Sequence, residues 1–123
     1  MDIICIMDIE KQRGYNSRIL YNDARKSLLQ YVGTDLDYKY SIILIGPGGN
    51  GKTFLLKECA DFLKNYIVDE DIGFFPRDAI KLLKTKSSII TSFCFDPYKK
   101  FGKKKPDNVK IIDMSMIEGN RLQ

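Results

Sequence analysis

The sequence predicts an α/β fold, a mostly parallel sheet flanked by helices in three layers. Three observations carry this. Isoleucine-rich runs of strand length recur at residues 40–45, 88–95 and 109–113 and read as buried strands. Between them lie segments whose apolar residues fall at helical spacing. The alternation of the two kinds of segment is the pattern of a helix-covered parallel sheet. With 123 residues, 44% hydrophobic and 29% charged, the chain suits one domain with a single core.

Taken in order, residues 2–9 read as a short strand, followed by a polar turn over residues 11–17 that contains Gly14. Asn22 is placed to cap a helix over residues 23–32, with Ala24, Leu28, Leu29 and Val32 as its apolar face and Gly33 as its end. Residues 34–39 lead into the strand at 40–45. A helix over residues 53–64 follows the next turn. Residues 65–71 run from apolar to acidic, and Pro76 suits the first position of a helix reaching Lys84. The strand at 88–95 closes on Asp96-Pro97, a lysine-rich loop spans residues 99–105, and the strand at 109–113 is the last.

The strand at 40–45 stops at Gly46-Pro47-Gly48-Gly49-Asn50-Gly51-Lys52-Thr53, which fits the phosphate-binding loop G-x-x-x-x-G-K-[ST] at every fixed position. Its glycines let backbone N–H groups turn inward around a phosphate, leaving no room for Cβ atoms. Lys52 would place its ammonium on the β- and γ-phosphates, Thr53 would offer its hydroxyl to Mg²⁺, and the following helix would aim its positive end at the anion. A chance match is expected in roughly one chain of this length in several hundred. The fold class sharpens to a three-layer P-loop NTPase-like domain over residues 1–123, with 1–39 as a lead-in and 40–123 as the nucleotide-binding core. Its expected cofactors are ATP and Mg²⁺. The chain is short for a complete NTPase motor, as a truncated or reduced version would be.

Such an enzyme needs an acid near the loop to hold Mg²⁺ and orient the attacking water. Asp69-Glu70 offers a metal ligand and a water-orienting base, although Asp69 stands only 17 positions after Lys52, room for one helix and no intervening strand. Asp96 stands 44 positions on and equally suits an Asp-Pro turn, while Asp113 stands 61 positions on at the end of a strand. Asp69 and Glu70 are the preferred pair.

Composition excludes other chemistry. There is no histidine, which removes histidine-based catalysis and most zinc sites. Cys5, Cys59 and Cys94 are widely spaced in apolar surroundings and read as reduced core residues. No apolar run approaches a membrane span, and the acidic N-terminal stretch does not read as a signal peptide, so an intracellular, cytoplasmic protein is expected. The net charge of +4 is modest, but five lysines crowd residues 99–105. That run reads either as a solvated turn or as a hairpin in which Lys99, Lys100, Lys103, Lys104 and Lys105 meet the phosphates of single-stranded DNA while Phe101 stacks on a base.

Residues 28–33, a polar spacer and residues 42–53 resemble the lead-in to the ATPase domain of viral and phage superfamily 3 helicases, of the poxvirus-like and primase-helicase type. Val68-Asp69-Glu70-Asp71 before Gly73-Phe74-Phe75-Pro76 looks like that family's acidic motif, and Ile89-Ile90-Thr91-Ser92 like its third motif. Phe93 stands where that motif normally leads into an asparagine contacting the γ-phosphate and water. The resemblance implies an ATPase of viral DNA replication acting in a host cell, with copies of the chain forming a ring that moves nucleic acid. The alternatives are a nucleoside or nucleotide kinase and a nucleotide-binding remnant without turnover. Kinases usually surround the transferred phosphate with arginines, whereas here only Arg77 and Arg121, of five, follow the loop.

Overall fold

The structure, a computed structural model, describes residues 3–33, 40–48 and 51–117, with side chains described from residue 18 onward. The elements run α1 (Ile3–Gly33), β1 (Ser41–Ile45), α2 (Lys52–Glu58), a 3₁₀ turn (Ala60–Phe62) and β2 (Ile67–Val68). A second 3₁₀ turn (Glu70–Phe74) then leads to α3 (Pro76–Thr85), β3 (Ile89–Phe93), α4 (Pro97–Lys100) and β4 (Val109–Asp113). The four strands form one sheet in the order β2-β3-β1-β4, and every pairing is parallel.

Strand β1 is paired on both sides and buried at all five positions, as its unbroken apolar run requires. Alternation along it divides the core in two. Ile42 and Leu44 join Tyr21, Ala24 and Leu28 of α1 and Leu55 and Leu56 of α2 on one face. Ile43 and Ile45 join Ala79, Ile80 and Leu83 of α3 and Tyr98 of α4 on the other. This two-residue period is what a strand imposes, and it makes the domain three-layered. Among the described residues no helix is long and apolar enough to cross a membrane.

The N-terminal expectations need correction. Residues 3–9 are helical rather than a strand, residues 11–17 continue that helix rather than turning, and Asn22 lies inside α1 rather than capping it. Asp2 lies outside the described residues, as do residues 34–39. Ile3, Ile6 and Met7 satisfy a helical spacing as well as a strand's composition, and a short apolar run does not separate the two. One interior glycine, Gly14, costs a helix only about 1 kcal/mol, which a 31-residue helix absorbs.

Other elements fit with shifts. Helix α2 ends at Glu58 instead of reaching Lys64, because the chain turns at Cys59 and tightens into the 3₁₀ turn, dropping Leu63 into the core. Helix α3 begins at Pro76 as expected and runs one residue past Lys84. The lysine-rich stretch is not a hairpin. Its start is α4, capped by Asp96, and it connects β3 to β4, which are separated in the sheet by β1.

Tyr21 and Arg25 of α1 clasp the end of α2. The Tyr21 hydroxyl donates to Glu58 Oε2, and Arg25 donates to Glu58 Oε1 at 2.9 Å. The carboxyl of Glu58 is held below its ordinary range, first by the Tyr21 hydrogen bond.

Candidate functional site

All four strands are parallel, so their C-terminal ends share one edge of the sheet. Ile45, Phe93 and Asp113 sit level there. In sheets of this kind ligands bind outside the carboxyl ends of the strands. The glycine-rich loop rises from that edge between β1 and α2. Gly46 is buried and its N–H donates to the Phe93 carbonyl at 3.0 Å, tying the loop's start to β3. Gly51 has φ 94°, the left-handed conformation that glycine takes without strain, and it turns the chain into α2. Pro47 and Gly48 are exposed; a Cβ on Gly48 would meet nothing within 4 Å, so no described atom of the protein requires glycine there. Gly49 and Asn50 lie outside the described residues.

Lys52 opens α2. Its ammonium bonds to the Gly46 carbonyl and reaches the Pro47 and Phe93 carbonyls at 3.4 Å each, so it spans the mouth of the loop. Burial pulls its pKa down, partly opposed by Cys94 and Glu70 nearby. Thr53 follows, and its hydroxyl donates to Glu70 Oε1 at 2.7 Å. Helix α2 has seven residues, so the charge of Lys52 rather than a long helix dipole dominates the loop's electrostatics.

The approach of Glu70 explains how so short an interval after Lys52 suffices. Strand β2 lies at the sheet edge, and the strand separating it from β1 is β3, which comes later in the chain. Asp69 N–H donates to the Ile90 carbonyl, and the 3₁₀ turn then climbs beside β3 towards the C-terminal edge. Gly73 permits this ascent. A Cβ there would lie 1.9 Å from the Ser92 carbonyl oxygen, a contact with backbone that only a shift of the turn could relieve.

The preferred acids therefore have different surroundings. Glu70 is in contact with Thr53, whereas Asp69 Oδ1 accepts the Asp71 N–H and caps the turn. Asp96 accepts the N–H groups of Tyr98 and Lys99 as the cap of α4. Asp113 stands level with Ile45, but its carboxylate accepts the Ser115 N–H, and bonds from Ser115 hold its pKa down. Among the described residues no group of three or more His, Cys, Asp or Glu side chains could hold a metal ion unaided. Mg²⁺ fits the residues present all the same, because it binds through one or two protein ligands together with substrate phosphates and waters.

Other expected positions are rearranged. Phe93 is 2% exposed, its ring in the core and only its carbonyl at the loop. Cys59 is buried as expected, but Cys94 is exposed rather than a core residue, and the side chain of Cys5 lies outside the described ones. Of the lysine run, Lys105 donates to the Val109 carbonyl at 2.6 Å, and Lys100 sits 4.1 Å from the Phe95 ring centre. Phe101 is half-buried, packs against the second core cluster and carries the Arg77 guanidinium 5.5 Å over its ring, so it does not stand free for stacking. Lys99, Lys103 and Lys104 are exposed. Arg121 lies outside the described residues.

Comparison with protein-family models, with curated proteins and with solved structures gives no match.

Proposed function

We propose that the chain is an ATP-binding P-loop NTPase that hydrolyses Mg-ATP, of the kind found in viral superfamily 3 helicases of DNA replication and working in the cytoplasm of a host cell. The single observation that carries the reading is the 2.7 Å bond from Thr53 to Glu70, which sets a carboxylate beside the hydroxyl that the loop motif assigns to the metal. Lys52 neutralises the β- and γ-phosphates by exchanging its carbonyl partners for phosphate oxygens. Thr53, with Asp69 and Glu70, would hold the metal and orient the attacking water. The metal, when bound, neutralises charge on the transferring phosphate. Further copies of the chain complete a ring around single-stranded DNA, with Lys99, Lys100, Lys103 and Lys104 on its phosphates.

Calorimetry with Mg-ATP tests this. Lys52→Ala is expected to abolish binding while the circular dichroism of the fold is retained, because the ammonium meets only loop and strand-end carbonyls. Unchanged affinity would assign the loop a structural role. Binding without turnover, with or without single-stranded DNA, would support the second reading, a nucleotide-binding remnant, which the burial of Phe93 favours. The kinase alternative is weakened by Arg77, the one arginine after the loop among the described residues, which stacks on Phe101.

A further inference from the structure

Two phenylalanines at the corner between the second 3₁₀ turn and α3 face outward. Phe74 is 79% and Phe75 64% exposed, beside a cleft of about 520 Å³ whose opposite wall is α4. That volume falls in the range of roughly 300–1,000 Å³ typical of ligand sites. Adjacent exposed phenylalanines forgo burial that a core would reward, and here Phe74 ends the turn that carries Glu70 while Phe75 follows it.

The cleft is cationic as well as aromatic. Arg77 and Lys100 line it, the first stacked over Phe101 at its floor and the second over Phe95. Lys99, Lys103 and Lys104 continue the charge along α4 and the turn after it, while Lys81 and Lys84 are exposed on α3. Asp78 is the acid in the lining. Asp96 is occupied with backbone N–H groups of α4. A ligand that matches this surface must be polyanionic and must offer flat apolar faces at short intervals. Single-stranded nucleic acid has both properties, whereas in a duplex the base faces are stacked away.

We propose that this cleft is a single-strand binding site in which bases stack on Phe74 and Phe75 while phosphates meet Arg77, Lys99, Lys100, Lys103 and Lys104. The site differs from the lysine run alone: the stacking rings come from the corner before α3, not from Phe101, and Lys105 is excluded by its bonds to backbone carbonyls. It deepens the nucleotide-hydrolysis reading by naming the polymer's contact surface, but binding of the polymer does not depend on that reading. Phe74 closes the same 3₁₀ turn that opens with Glu70, so a strand in the cleft touches the element that holds that carboxylate.

Fluorescence anisotropy with labelled oligo-dT and the full chain in the absence of nucleotide decides the matter. Five phosphate contacts give a slope of log affinity against log salt near about −3.5, from ~0.7 per contact. Phe74→Ala combined with Phe75→Ala should weaken binding by roughly 5- to 150-fold for each stacked base lost, leaving the slope unchanged. Glutamine at Lys99, Lys100, Lys103 and Lys104 should flatten the slope by about 2.8. The circular dichroism spectrum of the phenylalanine variant serves as the check on folding. The proposal is overturned if that variant keeps the wild-type spectrum and binds oligo-dT as the wild type does, if the wild type does not bind the strand at low salt, or if duplex DNA or phosphatidylserine vesicles displace it as well as unlabelled strand does. A wild type that binds the strand but not Mg-ATP would overturn the hydrolysis reading and leave this one standing.

Discussion

Thr91 lies fully buried in the middle of β3, yet its hydroxyl has no hydrogen-bond partner among the described residues. Ser41, equally buried, is the opposite case: its oxygen accepts the Ile89 N–H and donates to the Lys86 carbonyl. A buried hydroxyl without a partner costs about 1–3 kcal/mol of desolvation, so Thr91→Val should raise stability by about 1 kcal/mol, and Ser41→Ala should lower it by about 1–3 kcal/mol by orphaning Ile89 N–H. Urea midpoints measure both, and a destabilised Thr91→Val would mean that the hydroxyl is satisfied. At the loop, Glu70→Gln should cut turnover by at least tenfold with little change in Mg-ATP affinity, while Asp96→Asn, which acts on the cap of α4, should leave turnover intact. Steady-state hydrolysis decides, and the reverse ranking would move the metal acid to Asp96. Lys52 and Thr53 were legible in the sequence because a fixed spacing ties each to the glycines before it. The Thr53–Glu70 bond was not, because counting residues between motifs silently assumes that strands enter the sheet in chain order. Cys94 was misplaced for a simpler reason: β3 ends at Phe93, two residues short of the expected end at residue 95, so Phe93 is the last side chain of the strand held in the core and Cys94 lies outside it.

At the scale of elements, the second 3₁₀ turn is the part on which the site depends, and Gly73 is its most constrained residue. Gly73→Ala should push the turn away from β3 by the amount needed to relieve a 1.9 Å approach to backbone. The expected result is a lowered unfolding midpoint together with a loss of turnover larger than the loss of nucleotide affinity, since Glu70 moves and Lys52 does not. Wild-type stability and turnover in that variant would refute the close packing. The sequence set this glycine only beside the acidic motif and gave no sign of its packing, because the neighbour that forbids a side chain there, Ser92, belongs to a strand not yet formed when the turn is read locally. Long-range contacts are likewise what fixed α1. Ala24 and Leu28 have the spacing of a helix face and were legible, whereas Tyr21, which precedes the expected cap at Asn22, was not. The preceding isoleucines were ambiguous in type, and the start of the helix was misplaced with them. The β1, β3 and β4 segments were legible because parallel strands covered on both faces leave long apolar runs that few other structures produce.

For the whole molecule, the titrating groups set a pH window of stability whose two limbs have different owners. Glu58 and Asp113 have lowered pKa values in the fold, the first chiefly from the Tyr21 hydroxyl and the second from Ser115. A lowered carboxyl contributes stability that is complete above the unfolded value near ~4 and is lost as pH falls through the folded value. Tyr21, Tyr66, Tyr98 and Cys59 are raised, in each case first by burial. Their contribution is complete below the unfolded values of about 10 for tyrosine and 8.5 for cysteine, and is lost as pH rises through the folded ones. Lys52, lowered by burial, has the opposite sign: it subtracts stability while charged and lessens the alkaline loss. The urea midpoint should therefore be level between about pH 5 and 8 and fall on both sides. Glu58→Gln removes the charge-assisted part of the clasp between α1 and α2, so its midpoint should lie below that of the wild type across the plateau. The two curves should converge at low pH, where Glu58 of the wild type is itself neutral. Parallel curves with a constant offset down to the acid limb would show that Glu58 holds the helices together by shape alone, without its charge.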